Sequence, residues 1–160
     1  AGVLVHLFDG VDGLEVLLMK RPVYDGTHSG QISFPGGKFE EHDQTLENTA
    51  YREAFEEVGL RKEELLPIGA LSWLYIPPSN FYVEPYVTYS PALPELVLEE
   101  KEVSYTLSVP LTKICDRSIV RDAEVMTKYG PSRVPAFHWQ GEVIWGATAM
   151  ILGELSALFS

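Results

Sequence analysis

The chemistry in this chain is concentrated in Arg52-Glu53-Ala54-Phe55-Glu56-Glu57-Val58-Gly59-Leu60. On a helix advancing about 100° per residue, Glu56, Glu53 and Glu57 fall at roughly −60°, 0° and +40°, an arc of about 100° with three carboxylates. Apolar Ala50, Tyr51, Ala54, Phe55 and Val58 take most of the remaining circumference. Folding does not ask for this cluster, because like charges at i,i+3 and i,i+4 cost a few tenths of a kcal/mol each. A hard divalent cation reverses that penalty: Mg²⁺ or Mn²⁺ takes oxygen ligands, commonly carboxylates together with substrate phosphate oxygens. A solvated acidic face would account for a lone Glu-Glu pair. The glycine turn before the helix and the glycine after it favour a metal site.

The elements around the cluster are legible from pattern. Val3–Phe8 and Leu14–Lys20 read as two strands joined by the loop Asp9-Gly10-Val11-Asp12-Gly13. A loop over 25–30 leads to a short strand, Gln31–Phe34, which ends at Pro35-Gly36-Gly37. The carboxylate helix spans Thr45 to about Val58, stopped by Gly59. Ile68–Ile76 and Phe81–Tyr89 read as strands, and Leu93–Glu102 as an acidic connection. Val103–Val109 reads as strand, with a short helical segment near Leu111–Cys115. Ser118–Met126 and Val134–Trp139 read as a late hairpin, and Trp145–Phe159 as a closing apolar helix. Interleaved strands and helices with prominent hairpins imply a mixed sheet covered by helices, in one domain over 1–160.

Gly37 to Leu60 resembles the Nudix box, G-x5-E-x7-R-E-U-x-E-E-x-G-U with U aliphatic. Arg52, Glu53, Glu56, Glu57, Gly59 and Leu60 match its right half at every fixed position. From Gly37 to Arg52 there is one residue more than usual, so the first acid is Asp43, and Gln44 stands eight before Arg52. The resemblance implies an α/β/α sandwich and hydrolysis of a nucleoside diphosphate linked to another group. It implies Glu53, Glu56 and Glu57 as ligands of Mg²⁺ or Mn²⁺, with Arg52 bracing an acidic side chain, here Asp43. Gly36 and Gly37 would let backbone approach metal or phosphates; a simple tight turn is the other reading.

The lengthened box is similar to that of coenzyme A diphosphatases, and so is the stretch before it. Leu17-Leu18-Met19-Lys20-Arg21-Pro22, Gly30 and Phe34-Pro35-Gly36-Gly37 keep the spacing of L-L-T-x-R-S/A-x3-R-x3-G-x3-F-P-G-G. Met19, Pro22 and Gly26 depart from it, and Gly26 replaces the second arginine, a bidentate phosphate contact. Arg21 remains as a substrate-binding candidate, with Lys20, Lys38 or His28 able to compensate. Pro78-Ser79-Asn80-Phe81, Pro85 and Ile144-Trp145-Gly146-Ala147-Thr148-Ala149 also look like this subfamily. The resemblance implies coenzyme A, cut to 3′,5′-ADP and 4′-phosphopantetheine, with ADP-ribose or a dinucleotide as the alternative substrate. Glu102 sits where related enzymes carry a loop glutamate that binds metal or acts as general base; it also reads as one more charge in the run Glu95–Glu102.

Composition frames these readings. With 160 residues and 46% hydrophobic content the chain can bury a sizeable core. A net charge of −11 argues against nonspecific binding to nucleic acid or anionic membrane. It also repels a polyanionic substrate unless a divalent cation offsets the field locally, while the resemblance implies a small-molecule nucleoside diphosphate as partner. Cys115 is alone, which excludes an internal disulfide and suits a small buried residue. No apolar run is long enough for a membrane span and no signal-peptide pattern appears, so a cytoplasmic monomer or homodimer is the expectation. The chain runs from Ala1 straight into Val3-Leu4-Val5, which leaves room for a preceding segment carrying a targeting signal.

Trp73, Tyr75, Phe81 and Tyr82 have the types to stack on adenine, but aromatics on strands are more often core, and that is the expectation here. Trp145 suits packing, His6 and His138 satisfied or edge positions, and His42 a solvent-facing loop. Two non-enzymatic readings compete: a catalytically silent Nudix-fold binding module and a structural calcium domain. The intact Arg-Glu…Glu-Glu core disfavours the first, and the absence of an alternating Asp/Asn loop around a glycine disfavours the second.

Overall fold

The computed structural model describes residues 1–25, 29–77 and 79–159. Gly26, His28 and Pro78, which entered the coenzyme A comparison, lie outside the described residues. The strands are β1 (Gly2–Gly10), β2 (Gly13–Lys20), β3 (Ile32–Ser33), β4 (Gly36–Gly37), β5 (Leu66–Ala70), β6 (Leu74–Ile76), β7 (Phe81–Ser90), β8 (Tyr105–Pro110), β9 (Val120–Thr127), β10 (Gly130–Trp139) and β11 (Glu142–Ile144). The helices are α1 (Leu46–Val58), α2 (Leu111–Asp116) and α3 (Gly146–Phe159).

The main sheet runs β3-β2-β1-β7-β5, with β4 beside β1, β6 beside β7 and β8 beside β2. β1 and β7 pair in parallel while their other neighbours are antiparallel, so the sheet is mixed. β1 is buried on both faces, which its near-continuous apolar run dictates. Leu4 and Phe8 of β1 pack with Ala50, Tyr51, Ala54 and Val58 of α1. Val5 and Leu7 face the opposite core, which includes Ile114 of α2 and Ile151, Leu152 and Leu155 of α3. Helices therefore cover both faces of the sheet, as expected from the interleaved pattern. His6, within β1, satisfies both ring nitrogens at 2.8 Å, on Thr88 Oγ1 and Ser90 Oγ.

Several boundaries differ from the sequence expectation. Ile68–Ile76 is two strands: pairing with β7 shifts at Pro67/Gly69, and the break lets the Ser72 N–H bond the Glu154 carboxylate at 2.9 Å. The late hairpin gains β11, because Gln140 and Gly141 take positive φ and turn the chain back onto β10. Trp73, Tyr75 and Tyr82 are not core. They are 63%, 46% and 53% exposed and cluster with centroids about 5 Å apart, because Tyr75 and Tyr82 pair on the outer part of β6 and β7. Cys115 is half-buried. Among the described residues no helix is long and apolar enough to cross a membrane.

Candidate active site

Local chemistry fixes the ends of α1. The Thr45 hydroxyl accepts the Asn48 N–H at 3.1 Å, a side-chain cap on an otherwise orphaned donor. Gly59 ends the helix in the left-handed region, φ +77°, and donates its N–H to Phe55 O at 3.0 Å. Between these ends the apolar side of α1 is locked onto β1, which aims Glu53 and Glu57 at β4, the Gly36-Gly37 strand paired with the start of β1.

Glu57 is 2% exposed. Its Oε1 accepts the Gly36 N–H at 2.8 Å, and its Oε2 lies 3.8 Å from Arg21 Nη1. Burial pushes its carboxyl up to about 8, although the Gly36 N–H and the Arg21 charge oppose that shift. Burial likewise raises Glu53, against the opposing pull of Arg52. A side chain on Gly37 would place its Cβ 2.6 Å from Glu53 Cδ, so glycine alone leaves room for that carboxylate.

The connection before β8 supplies the third acid. Val97 N–H and Glu99 N–H donate to Val58 O and Glu57 O, both at 2.9 Å, which ties the connection to the last turn of α1. Carboxylate oxygens of Glu53, Glu57 and Glu102 then lie within 4.8 Å of one another. Glu56 is not in that group; it is exposed and lies 3.3 Å from Arg52 Nη1. Three hard anionic oxygens, two of them on acids that burial destabilises as anions, are a donor set suited to a divalent cation.

Arg52 and Asp43 form the brace. Arg52 Nε and Nη2 donate to the two Asp43 oxygens at 2.7 and 3.0 Å, Nη1 to Glu53 at 3.0 Å, and Nη2 to Lys38 O at 3.1 Å. The guanidinium holds Asp43 well below the usual carboxylate range, and Asp43 raises Arg52 in turn. The extra residue of the box is absorbed by a short helical turn over Glu41–Asp43 and by Gln44 at φ +69°, so Asp43 faces Arg52 while Gln44 stays exposed.

The carboxylates open on a cleft of about 380 Å³ whose walls include Arg21, Tyr24, Gly36, Gly37 and Lys101. The structure does not bring the other two predicted cations there. Lys20 pairs with Glu142 at 2.8 Å, and the Lys38 ammonium sits over the Phe81 ring at 5.0 Å. Tyr24 and Lys101 went unread in the sequence. The available signal for Lys101 was its place as the sole cation in Glu95–Glu102.

Comparison with known proteins identifies the family. The NUDIX domain model matches residues 1–125. The uncharacterized Nudix hydrolase NudL of Yersinia pestis (strain Pestoides F) is 32% identical over 141 residues, 88% of this chain and 70% of that protein. Among solved structures, the fold is similar to a C. elegans Ap4A hydrolase binary complex, with TM-score 0.60 and 18% identity over 72% of this chain and 83% of that one. It is also similar to the NUDIX domain of Shewanella oneidensis NrtR complexed with ADP ribose, with TM-score 0.52 and 18% identity over 72% of this chain and 74% of that one. With a helix of this pattern, a matching family model and a relative at this identity, the chain belongs to the Nudix family and is a diphosphohydrolase of that class.

Proposed function

We propose that this protein hydrolyses the phosphoanhydride bond of coenzyme A or a derivative, giving 3′,5′-ADP and 4′-phosphopantetheine, with Mg²⁺ or Mn²⁺. The observation that carries the hydrolytic part is the meeting of Glu53, Glu57 and Glu102 within 4.8 Å in a cleft beside Arg21 and the Gly36-Gly37 turn. Those three carboxylates would hold the metal, and Glu56 would join them only by rotating away from Arg52. The bound metal supplies charge neutralisation of the diphosphate and a lowered pKa for water. Arg52, neutralised by Asp43, orients Glu53, and the Gly36 N–H orients Glu57. Arg21 places a cation beside Glu57, on the wall of the cleft that a phosphate oxygen would enter.

The coenzyme A assignment rests on the Leu17–Gly37 spacing, the lengthened box and Ile144-Trp145-Gly146. The alternative, ADP-ribose or a dinucleotide, draws on the fold shared with proteins described as an Ap4A hydrolase and as an ADP ribose complex. Hydrolysis of coenzyme A, ADP-ribose, NADH and dinucleoside polyphosphates with product identification separates them. A kcat/KM for ADP-ribose at least about tenfold above that for coenzyme A overturns the coenzyme A assignment and leaves the hydrolase reading standing.

A further inference from the structure

The cations near the carboxylates differ in what they already hold. Arg52 is saturated by Asp43, Glu53 and the Lys38 carbonyl. Lys20 is bound to Glu142, and Lys38 lies over Phe81. Arg21 faces Glu57 Oε2 at 3.8 Å. Lys101 also lines the cleft, yet among the described residues no carboxylate oxygen comes within 4.0 Å of its ammonium. It is the uncommitted positive charge on the wall of an acidic cleft.

The backbone that carries it is fixed rather than incidental. Lys101 N–H donates to Glu99 Oε1 at 3.2 Å, and Glu102 and Val103 N–H groups donate to Glu99 O at 3.0 and 2.9 Å. Glu99 N–H in turn bonds Glu57 O, and Ser104 N–H bonds Lys20 O at 2.9 Å. Val103 is buried and anchors the turn in the core under α1. The loop that brings Glu102 to the carboxylates therefore presents Lys101 from the same turn, fastened to the helix end that carries Glu57.

We propose that Lys101 is a substrate-binding residue that contacts a non-bridging oxygen of the substrate's diphosphate, on the cleft wall formed by the 99–103 turn. This rests on the reading of the cleft as a nucleoside diphosphate site. Arg21 is already paired with a carboxylate, so a second, unpaired cation offsets the negative field that a chain of net charge −11 presents to a dianion. A lysine serves as a point charge that needs no fixed fork geometry, which suits a phosphate oxygen approached from an exposed loop.

Binding of α,β-methylene-ADP with Mg²⁺, measured by calorimetry on the whole chain, tests this without turnover. Lys101→Gln is expected to weaken binding at least about fivefold, the size of one lost charge-assisted contact. Lys101→Arg is expected to restore it to within about threefold, while Lys128→Gln, on the β9–β10 turn, leaves it unchanged. Melting temperatures of all variants are expected to match the wild type. Affinity of Lys101→Gln within about twofold of the wild type overturns the proposal, as does failure of the wild type to bind the probe. If the wild type binds the probe but hydrolyses no nucleoside diphosphate, the catalytic reading fails and the comparison of affinities still decides the role of Lys101.

Discussion

Glu57 Oε1 accepts the Gly36 N–H at 2.8 Å, joining the carboxylate helix to the glycine turn twenty-one residues upstream. Through this bond a buried carboxyl oxygen and a backbone donor satisfy each other, and the helix is held against the glycine turn.

Glu57→Gln keeps the shape and removes one anionic oxygen. It should cut kcat at least about a hundredfold with the fold intact. Steady-state kinetics beside circular dichroism checks this; near-native turnover would reassign the cluster. Without metal, the variant should be as stable as the wild type near neutral pH, where burial keeps Glu57 protonated, and more stable above about pH 8, where a buried charge is gone.

Activity should vanish in excess EDTA and return with Mg²⁺ or Mn²⁺. Burial lifts Glu57 from 4.5 to about 8, so the folded metal-free protein holds a proton there that the unfolded chain releases across that window. Stability of the metal-free protein from this group is present below about pH 4.5 and is lost as pH rises toward 8. A metal competes with that proton, so its affinity should rise by up to about tenfold per pH unit until about pH 8. Calorimetric titrations at pH 6, 7 and 8 would contradict this if the affinity stayed flat.

Gly59→Ala should disturb both stability and catalysis. The new Cβ would lie 2.7 Å from Val97 N and occupy φ +77°, at a cost of about 1–2 kcal/mol from the backbone alone. Displacing Val97 also moves the connection that carries Glu102, so kcat should fall along with Tm. Thermal melts and kinetics on the same preparation read both effects; a drop in Tm with unchanged kcat would separate Glu102 from the chemistry.

His6 should make the fold acid-sensitive. Burial depresses its pKa from 6.5 to about 4, so the unfolded chain takes up a proton that the folded chain refuses. This contribution is complete above about pH 6.5 and is lost as pH falls toward 4. His6→Gln should flatten that limb of the stability curve in urea titrations from pH 7 to pH 4. An unchanged slope would place the acid sensitivity elsewhere.

The residue order alone determined that Glu53, Glu56 and Glu57 share a helix face, that Thr45 and Gly59 bound that helix, and that Val3–Phe8 is an apolar strand. Capping, 3.6-residue periodicity and continuous apolar runs are local, so they can be read without knowing what lies across the sheet. Only the tertiary structure decided which carboxylates meet. Glu102 reaches Glu53 and Glu57 through the bonds of Val97 and Glu99 to the end of α1, while Glu56, on the same helix face, turns to Arg52. The same holds for Lys101 in the cleft, Lys20 taken by Glu142, and the rings of Trp73, Tyr75 and Tyr82 left exposed. Each depends on which distant strand or turn packs alongside, and spacing along the chain carries no information about that neighbour.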